Sequence, residues 1–250
     1  MLLAVSSSAF AQGGEVSPKR LSTGMVVPNR TVTLSTKIMG RVAQITRDEG
    51  ETIKEGELLL SIEDAEWRAS LQSVESMLTQ ARAEAAYKKK LEAKMKTLFG
   101  QKSISEDMVD QAALEAEVSD AKVRSAESAV QSARAMLSET RITVPFDAVL
   151  ITRSAEVGQL TAPGHPLFVV EDHSRLKFKT SVKERDVPFV KAGQKARVTI
   201  DALGDTELKG TVSKIVPSGD QTTHSYVVEI SLPPRKGLYP GMFGKAEFLE

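Results

Sequence analysis

The sequence contains no cysteine. That excludes disulfide staples, Cys-ligated zinc, iron–sulfur clusters and a thiol nucleophile. Only three histidines occur, His165, His173 and His224, which leaves little for imidazole catalysis or a His-based metal centre. Neither sign of charge is in excess: 33 Lys+Arg balance 33 Asp+Glu, so no global field draws the chain to nucleic acid. No apolar run reaches the roughly 18 residues that a membrane-crossing helix needs. No Gly-x-Ser-x-Gly elbow and no Gly-rich phosphate loop is present, and the eight methionines are scattered rather than clustered as copper or silver ligands. His173 follows Glu171-Asp172, but no second His stands at ligand spacing, so it reads as a turn residue. The chain therefore offers no catalytic constellation, no metal set and no cofactor motif, and the expectation is a protein that is not an enzyme. What is there is 250 residues, 41% hydrophobic and 26% charged, enough for about one to three domains with real cores.

Residues 1–11 read as a residual signal peptide. They carry no charge, and Ala9-Phe10-Ala11 is a small-x-small triplet before Gln12. The basic leading segment is missing and the apolar part is short, as a start codon set too far downstream would leave them. No Cys follows the site, so a lipoprotein anchor is not available, and an exported mature chain from about Gln12 is expected.

An internal repeat organises the rest. Ile38 to Asp64 and Phe146 to Asp172 align so that Gly50 falls on Gly158, Gly56 on Gly164, Leu59 on Leu167, Ile62 on Val170 and Glu63-Asp64 on Glu171-Asp172. Each copy has short alternating β-rich runs punctuated by glycines, the pattern of strands joined by tight turns. One copy is too small to bury its own apolar face, whereas two copies can close on each other as a small sandwich.

Between the copies the period changes from 2 to 3.6. Ala65 to Phe99 lacks Gly and Pro, and Trp67, Leu71, Val74, Leu78, Ala81 and Ala85 form an apolar seam that slips near Lys88 and resumes at Leu91, Met95 and Leu98. Gly100 reads as the C-terminal cap. A second helix from about Ser105 to Ser138 carries Val109, Ala112, Ala116, Ser119, Val123, Ala126, Val130, Ala133 and Leu137 on one seam. Its start is a capping box of Ser103 with Glu106, or alternatively a Ser105 cap with Ile104 stapled to Val109. The short link forces an antiparallel return, so the segment is a coiled-coil hairpin about 50 Å long. Seven basic residues between Arg82 and Lys102 face six acidic ones between Glu106 and Asp120 after the turn. The pairing acts within one hairpin or between neighbouring hairpins, and it makes Lys88-Lys89-Lys90 a solvated helix face rather than a nucleic-acid patch. After Asp172 the pattern is β again, with strands over 176–182, 195–201, 208–216, 226–232 and 242–249. A small antiparallel barrel is expected, to which Leu21 to Val27 adds a strand.

At this point the sequence resembles the periplasmic adaptor subunits of tripartite efflux pumps, also called membrane fusion proteins (the HlyD-like family). The resemblance runs over 26–250. It rests on the split repeat, which is similar to a lipoyl domain interrupted by a hairpin. It rests also on Leu137 to Leu150, similar to the family's Leu-x-x-Thr-x-Ile-x-Ala-Pro-Phe-Asp-Gly-x-Val with Val144 and Ala148 in place of Ala and Gly. Leu238-Tyr239-Pro240-Gly241-Met242 is similar to the family's Leu-x-Pro-Gly-Met, and Lys94, Leu98 and Ser105 keep the spacing of the family's tip motif, with Lys for Arg. Lys keeps the charge but loses the planar donor fork.

The resemblance implies a mixed α and β, elongated fold: a lipoyl-like β-sandwich split by a long antiparallel α-helical hairpin, followed by a small antiparallel β-barrel. The implied domains are a lipoyl-like domain in two halves (31–64 and 140–172), the hairpin (65–139) and the barrel (19–30 and 173–250). The family's membrane-proximal domain is not read in this sequence. The implied role is a periplasmic adaptor, peripheral to the inner membrane. It would link an inner-membrane transporter, of the resistance-nodulation-division (RND) type by preference, to an outer-membrane channel and self-associate into a ring. Lys94, Leu98 and Ser105 would meet the channel. The alternatives are an adaptor of an ABC-type exporter or type I secretion system, and a lipoyl-like carrier. The carrier needs a modified Lys where this chain has Glu63-Asp64-Ala65-Glu66-Trp67.

Overall fold

The structure is a computed structural model that describes residues 21–204, 206–220 and 222–249. The leader read over 1–11 lies outside the described residues. The chain divides into two compact units, Thr31–Glu171 and a second that joins the segment up to Arg30 with Asp172 onward. The first strand, β1 (Leu21–Val27), belongs to the second unit.

The repeat takes physical form in the first unit. Its strands are β2 (Arg30–Ser35), β3 (Gly40–Ile45), β4 (Thr52–Ile53), β5 (Leu58–Ile62), β6 (Arg141–Thr143), β7 (Ala148–Arg153), β8 (Leu160–Thr161) and β9 (Pro166–Asp172). They form two four-stranded sheets, ordered β2-β9-β7-β4 and β6-β5-β3-β8. Each sheet draws strands from both copies of the repeat, so neither half is a sheet alone. The two sheets are images of each other under the repeat. Gly50 donates its N–H to the Leu150 carbonyl and Gly158 donates to Val42; Gly56 donates to Val144 and Gly164 to Thr36. All four glycines have φ between 79° and 86°, the left-handed region that a side chain resists. Both inner faces meet in one core in which Leu59, Leu60, Ile53, Leu150, Phe168 and Val170 are fully buried.

Two helices leave and re-enter this sandwich. Helix α1 (Ala65–Gly100) and helix α2 (Glu106–Ser138) are antiparallel neighbours. Trp67, in the first turn of α1, packs against the sandwich core and anchors the base of the hairpin. Every residue of the expected α2 seam is buried or half-buried, with Ala112, Ala116, Ser119 and Val130 the deepest. Small side chains let the helices approach closely. Opposite, Ala85 is the one buried residue of α1. Lys88 does not interrupt the seam. Its half-buried stem occupies a seam position while its ammonium reaches Glu115 at 2.7 Å.

The second unit is a closed six-stranded barrel, ordered β1-β10-β13-β12-β11-β14, from β10 (Lys177–Lys183), β11 (Lys195–Ile200), β12 (Glu207–Asp220), β13 (Ser225–Ser231) and β14 (Phe243–Phe248). Strand β12 runs further than the sequence suggests. A register shift between Ile215 and Gly219 absorbs Pro217, which has no N–H for the ladder. Closure joins β1 to β14 with Gly24 opposite Gly244. A Cβ on Gly244 would lie 2.2 Å from the Thr199 carbonyl oxygen, so the inward side of this joint has no room for a side chain. Phe178, Val26, Val198, Ile200, Val228 and Ile230 fill the interior.

Where the chain enters this unit, Asp172 is buried and clasps the two incoming segments. Its carboxylate accepts from Asn29 Nδ2 at 2.8 Å, from Arg30 Nε at 3.3 Å and from the Ser174 N–H at 2.9 Å, while its carbonyl accepts from the Asn29 N–H. Burial opposes ionisation, but the hydrogen bonds from Ser174 and Asn29 and the Arg30 charge outweigh it and bring the pKa down to about 2.

Candidate functional site

The hairpin turn is built by the backbone. Gln101 ends α1, and Lys102 stands in the left-handed conformation at φ 56°. The Lys102 N–H donates to the Phe99 carbonyl at 2.8 Å and the Ser103 N–H to the Leu98 carbonyl at 3.0 Å, the paired bonds of a Schellman cap. The expected cap at Gly100 is thus displaced two residues, and Gly100 sits inside the last helical turn. The Ser103–Glu106 capping box does not form either. Ser105 is the N-cap of α2 in an extended conformation, and its hydroxyl makes no cap bond. Ile104 and Val109 hold the flanking staple positions and are both half-buried.

These turns fix where the three tip residues lie. Lys94 is exposed two turns before the end of α1, and it has no ion-pair partner among the described residues. Leu98 is half-buried, so part of it packs in the hairpin and part faces solvent. Ser105 is exposed across the turn with an uncommitted hydroxyl. The structure brings the three to one end of one element. It adds Phe99 and Met108, 44% and 48% exposed, which the sequence reading passed over. The signal for Phe99 was the seam slip after Lys88, which turns position 99 outward. The end of the hairpin is therefore an apolar surface with two cations, Lys94 and Lys102, and free hydroxyl capacity, suited to docking against other helices.

Below the tip, five ion pairs cross the hairpin; the first two join the expected basic and acidic blocks, and the other three use charges outside one or both of them. Lys88 meets Glu115, Lys89 meets Asp120 at 2.9 Å, Arg82 meets Glu127 at 2.7 Å, Lys122 meets Glu84 at 2.9 Å and Arg134 meets Glu75 at 2.6 Å. The hydrogen bond that Lys88 donates to Glu115 holds the Lys88 ammonium above its ordinary pKa, and the same bond holds the Glu115 carboxyl below its own. Each such exposed pair contributes little, about 0–1 kcal/mol, but five in one register fix how the helices align. The junction Glu63 to Trp67 opens α1 and holds no lysine. Among the described residues, no helix is long and apolar enough to cross a membrane.

Comparison with known proteins converges on one class. Residues 178–250 match the family described as the CusB-like β-barrel domain. The chain is 27% identical over 229 residues to the multidrug export protein AcrE of Escherichia coli, covering 86% of this chain and 60% of that protein. It is 26% identical over 223 residues to the nodulation protein NolF of Rhizobium meliloti, covering 87% and 59%. The crystal structure of MacA from Actinobacillus actinomycetemcomitans superposes with a TM-score of 0.79 at 22% identity, covering 93% of this chain and 79% of that one, and so shares its fold. The fold class expected from the sequence, a hairpin-split sandwich with a barrel, is the one that this chain shares with the MacA structure. The chain carries a CusB-like β-barrel domain over residues 178–250 and is similar to these export and nodulation proteins over most of its length. It spans about three fifths of the length of the two curated relatives named here.

Proposed function

We propose that the chain is the periplasmic adaptor of a tripartite efflux pump, linking an inner-membrane transporter to an outer-membrane channel through the hairpin tip. Lys94 supplies charge, Leu98 an apolar knob and Ser105 a hydroxyl to the channel's helices. The observation that carries this reading is the tip itself. A backbone-locked turn presents these residues, and the Ser105 hydroxyl is not consumed by capping. The family and its export relatives support the class of activity. The RND-type transporter is preferred because the matched barrel family carries that designation. A place in the periplasm, peripheral to the inner membrane, and assembly into a ring follow from the same role. The role is architectural, not enzymatic.

The test is efflux with tip variants. Leu98→Asp and Lys94→Glu abolish or strongly reduce drug resistance in a strain that depends on this adaptor, while circular dichroism of the purified chains is unchanged. Lys94 is exposed, so its variant cannot fail merely by unfolding the hairpin. Wild-type efflux in both variants would remove the tip role.

A further inference from the structure

The barrel unit carries an open groove of about 470 Å³ at the end where β10 begins and β13 finishes. That volume lies in the range of small-molecule sites, roughly 300–1,000 Å³. One wall is the segment before β10, with His173, Ser174 and Leu176, and the other is the loop between β13 and β14. In a chain whose charges balance, this groove is one-sided. Arg235 and Lys236 line it, and no Asp or Glu does among the described residues. Both cations are exposed, and neither has an ion-pair partner among the described residues. Asp172, next in sequence to one wall, is already committed: its buried carboxylate is engaged by Asn29, Arg30 and Ser174. A concave site lined by charge of one sign concentrates ligands of the other.

The loop holds its cations in place before a ligand arrives. Leu232 and Leu238 are buried in the barrel core at either end of it. The Leu232 N–H donates to the Leu176 carbonyl at 3.1 Å, which ties the two walls together. Between them Pro233 and Pro234 have a fixed φ. The Leu238 N–H then closes a turn onto the Arg235 carbonyl at 3.3 Å, with Gly237 at φ 84°. Such preorganisation lowers the cost of binding. Arg235 Nη2 donates to Thr206 Oγ1 at 3.3 Å, and the rest of its planar donor fork remains for a ligand. An Arg fork beside a Lys point charge matches a doubly charged phosphate better than a single carboxylate. The groove is larger than a bare phosphate needs, and Tyr239, Pro234 and half-buried Leu176 give it an apolar side. We propose that the groove binds a phosphate monoester with an apolar body, the phosphate on Arg235 and Lys236 and the body against Tyr239. The site lies within the barrel unit and does not rest on the efflux reading.

Titration of the full chain with phenyl phosphate, followed by NMR and calorimetry, tests the groove. Wild type binds it saturably. Arg235→Gln and Lys236→Gln each weaken binding on the order of tenfold with unchanged circular dichroism. Lys183→Gln removes the same charge at the far end of β10 and leaves binding unaltered. Tyr239→Ala brings phenyl phosphate down to the affinity of inorganic phosphate, which has no body to cover the apolar side. Vesicles of phosphatidylcholine with and without phosphatidic acid separate the sources of the ligand. Co-sedimentation that needs phosphatidic acid, Arg235 and Lys236 assigns a lipid headgroup, whereas binding of phenyl phosphate alone assigns a soluble ester. No binding of phenyl phosphate, even where the vesicles bind, would overturn the proposal. So would benzyl alcohol binding as tightly as phenyl phosphate, or groove variants that bind no worse than Lys183→Gln.

Discussion

Single residues set the two tightest local arrangements. Lys102 occupies a left-handed position that glycine fills without penalty. Lys102→Gly is expected to stabilise the turn by about 1 kcal/mol, which slows exchange of the Ser103 and Lys102 amide protons roughly fivefold by hydrogen-exchange mass spectrometry or NMR. Asp172 carries the pH dependence. Its folded pKa of about 2 lies below the ordinary value of 3.8, so the stability it adds is fully present above about pH 4. That stability is lost as the pH falls from there through 2, and it amounts to no more than about 2 kcal/mol. Thermal unfolding at pH 5 (about one unit above the window) and at pH 2 is expected to show a smaller loss for Asp172→Asn than for wild type. Equal losses would remove the clasp as a stabilising contact. Lys102 also shows a limit of sequence reading. Gly100 was the obvious cap, but the helix continued through it because the Leu98 and Phe99 carbonyls found their donors two residues later.

Among the elements, the hairpin was the most legible. An uninterrupted 3.6 period with small residues on one stripe dictates an antiparallel pair, and the seam of α2 is buried as read. Ala116 is 3% exposed between the helices, so Ala116→Leu is expected to over-pack the seam. The cost is about 1–3 kcal/mol, seen as earlier thermal loss of helical circular dichroism, whereas Ala121→Leu on the exposed surface leaves it nearly unchanged. The paired repeat was legible as homology but not as topology. Nothing in either copy says that its strands add to the other copy's sheet, because the exchange is fixed by long-range bonds such as Gly50 to Leu150. The barrel's strand order was hidden for the same reason. Its closing joint is marked only by two glycines that come opposite each other after folding.

For the whole molecule, the split repeat, the segment before β7 and the Leu-x-Pro-Gly-Met segment carried the resemblance, and the fold they implied is the one the structure has. The tip residues came from the resemblance to the family's tip motif, and the structure places all three at one end of the hairpin. The cysteine-free chain makes one experiment clean: a single cysteine at position 98, carrying a cross-linker, in cells that express the pump. The account predicts adducts with an outer-membrane channel protein from Leu98→Cys and none from Ala69→Cys at the exposed base of the hairpin. Adducts confined to other copies of the chain, or the same partners from both positions, would contradict the bridging role of the tip.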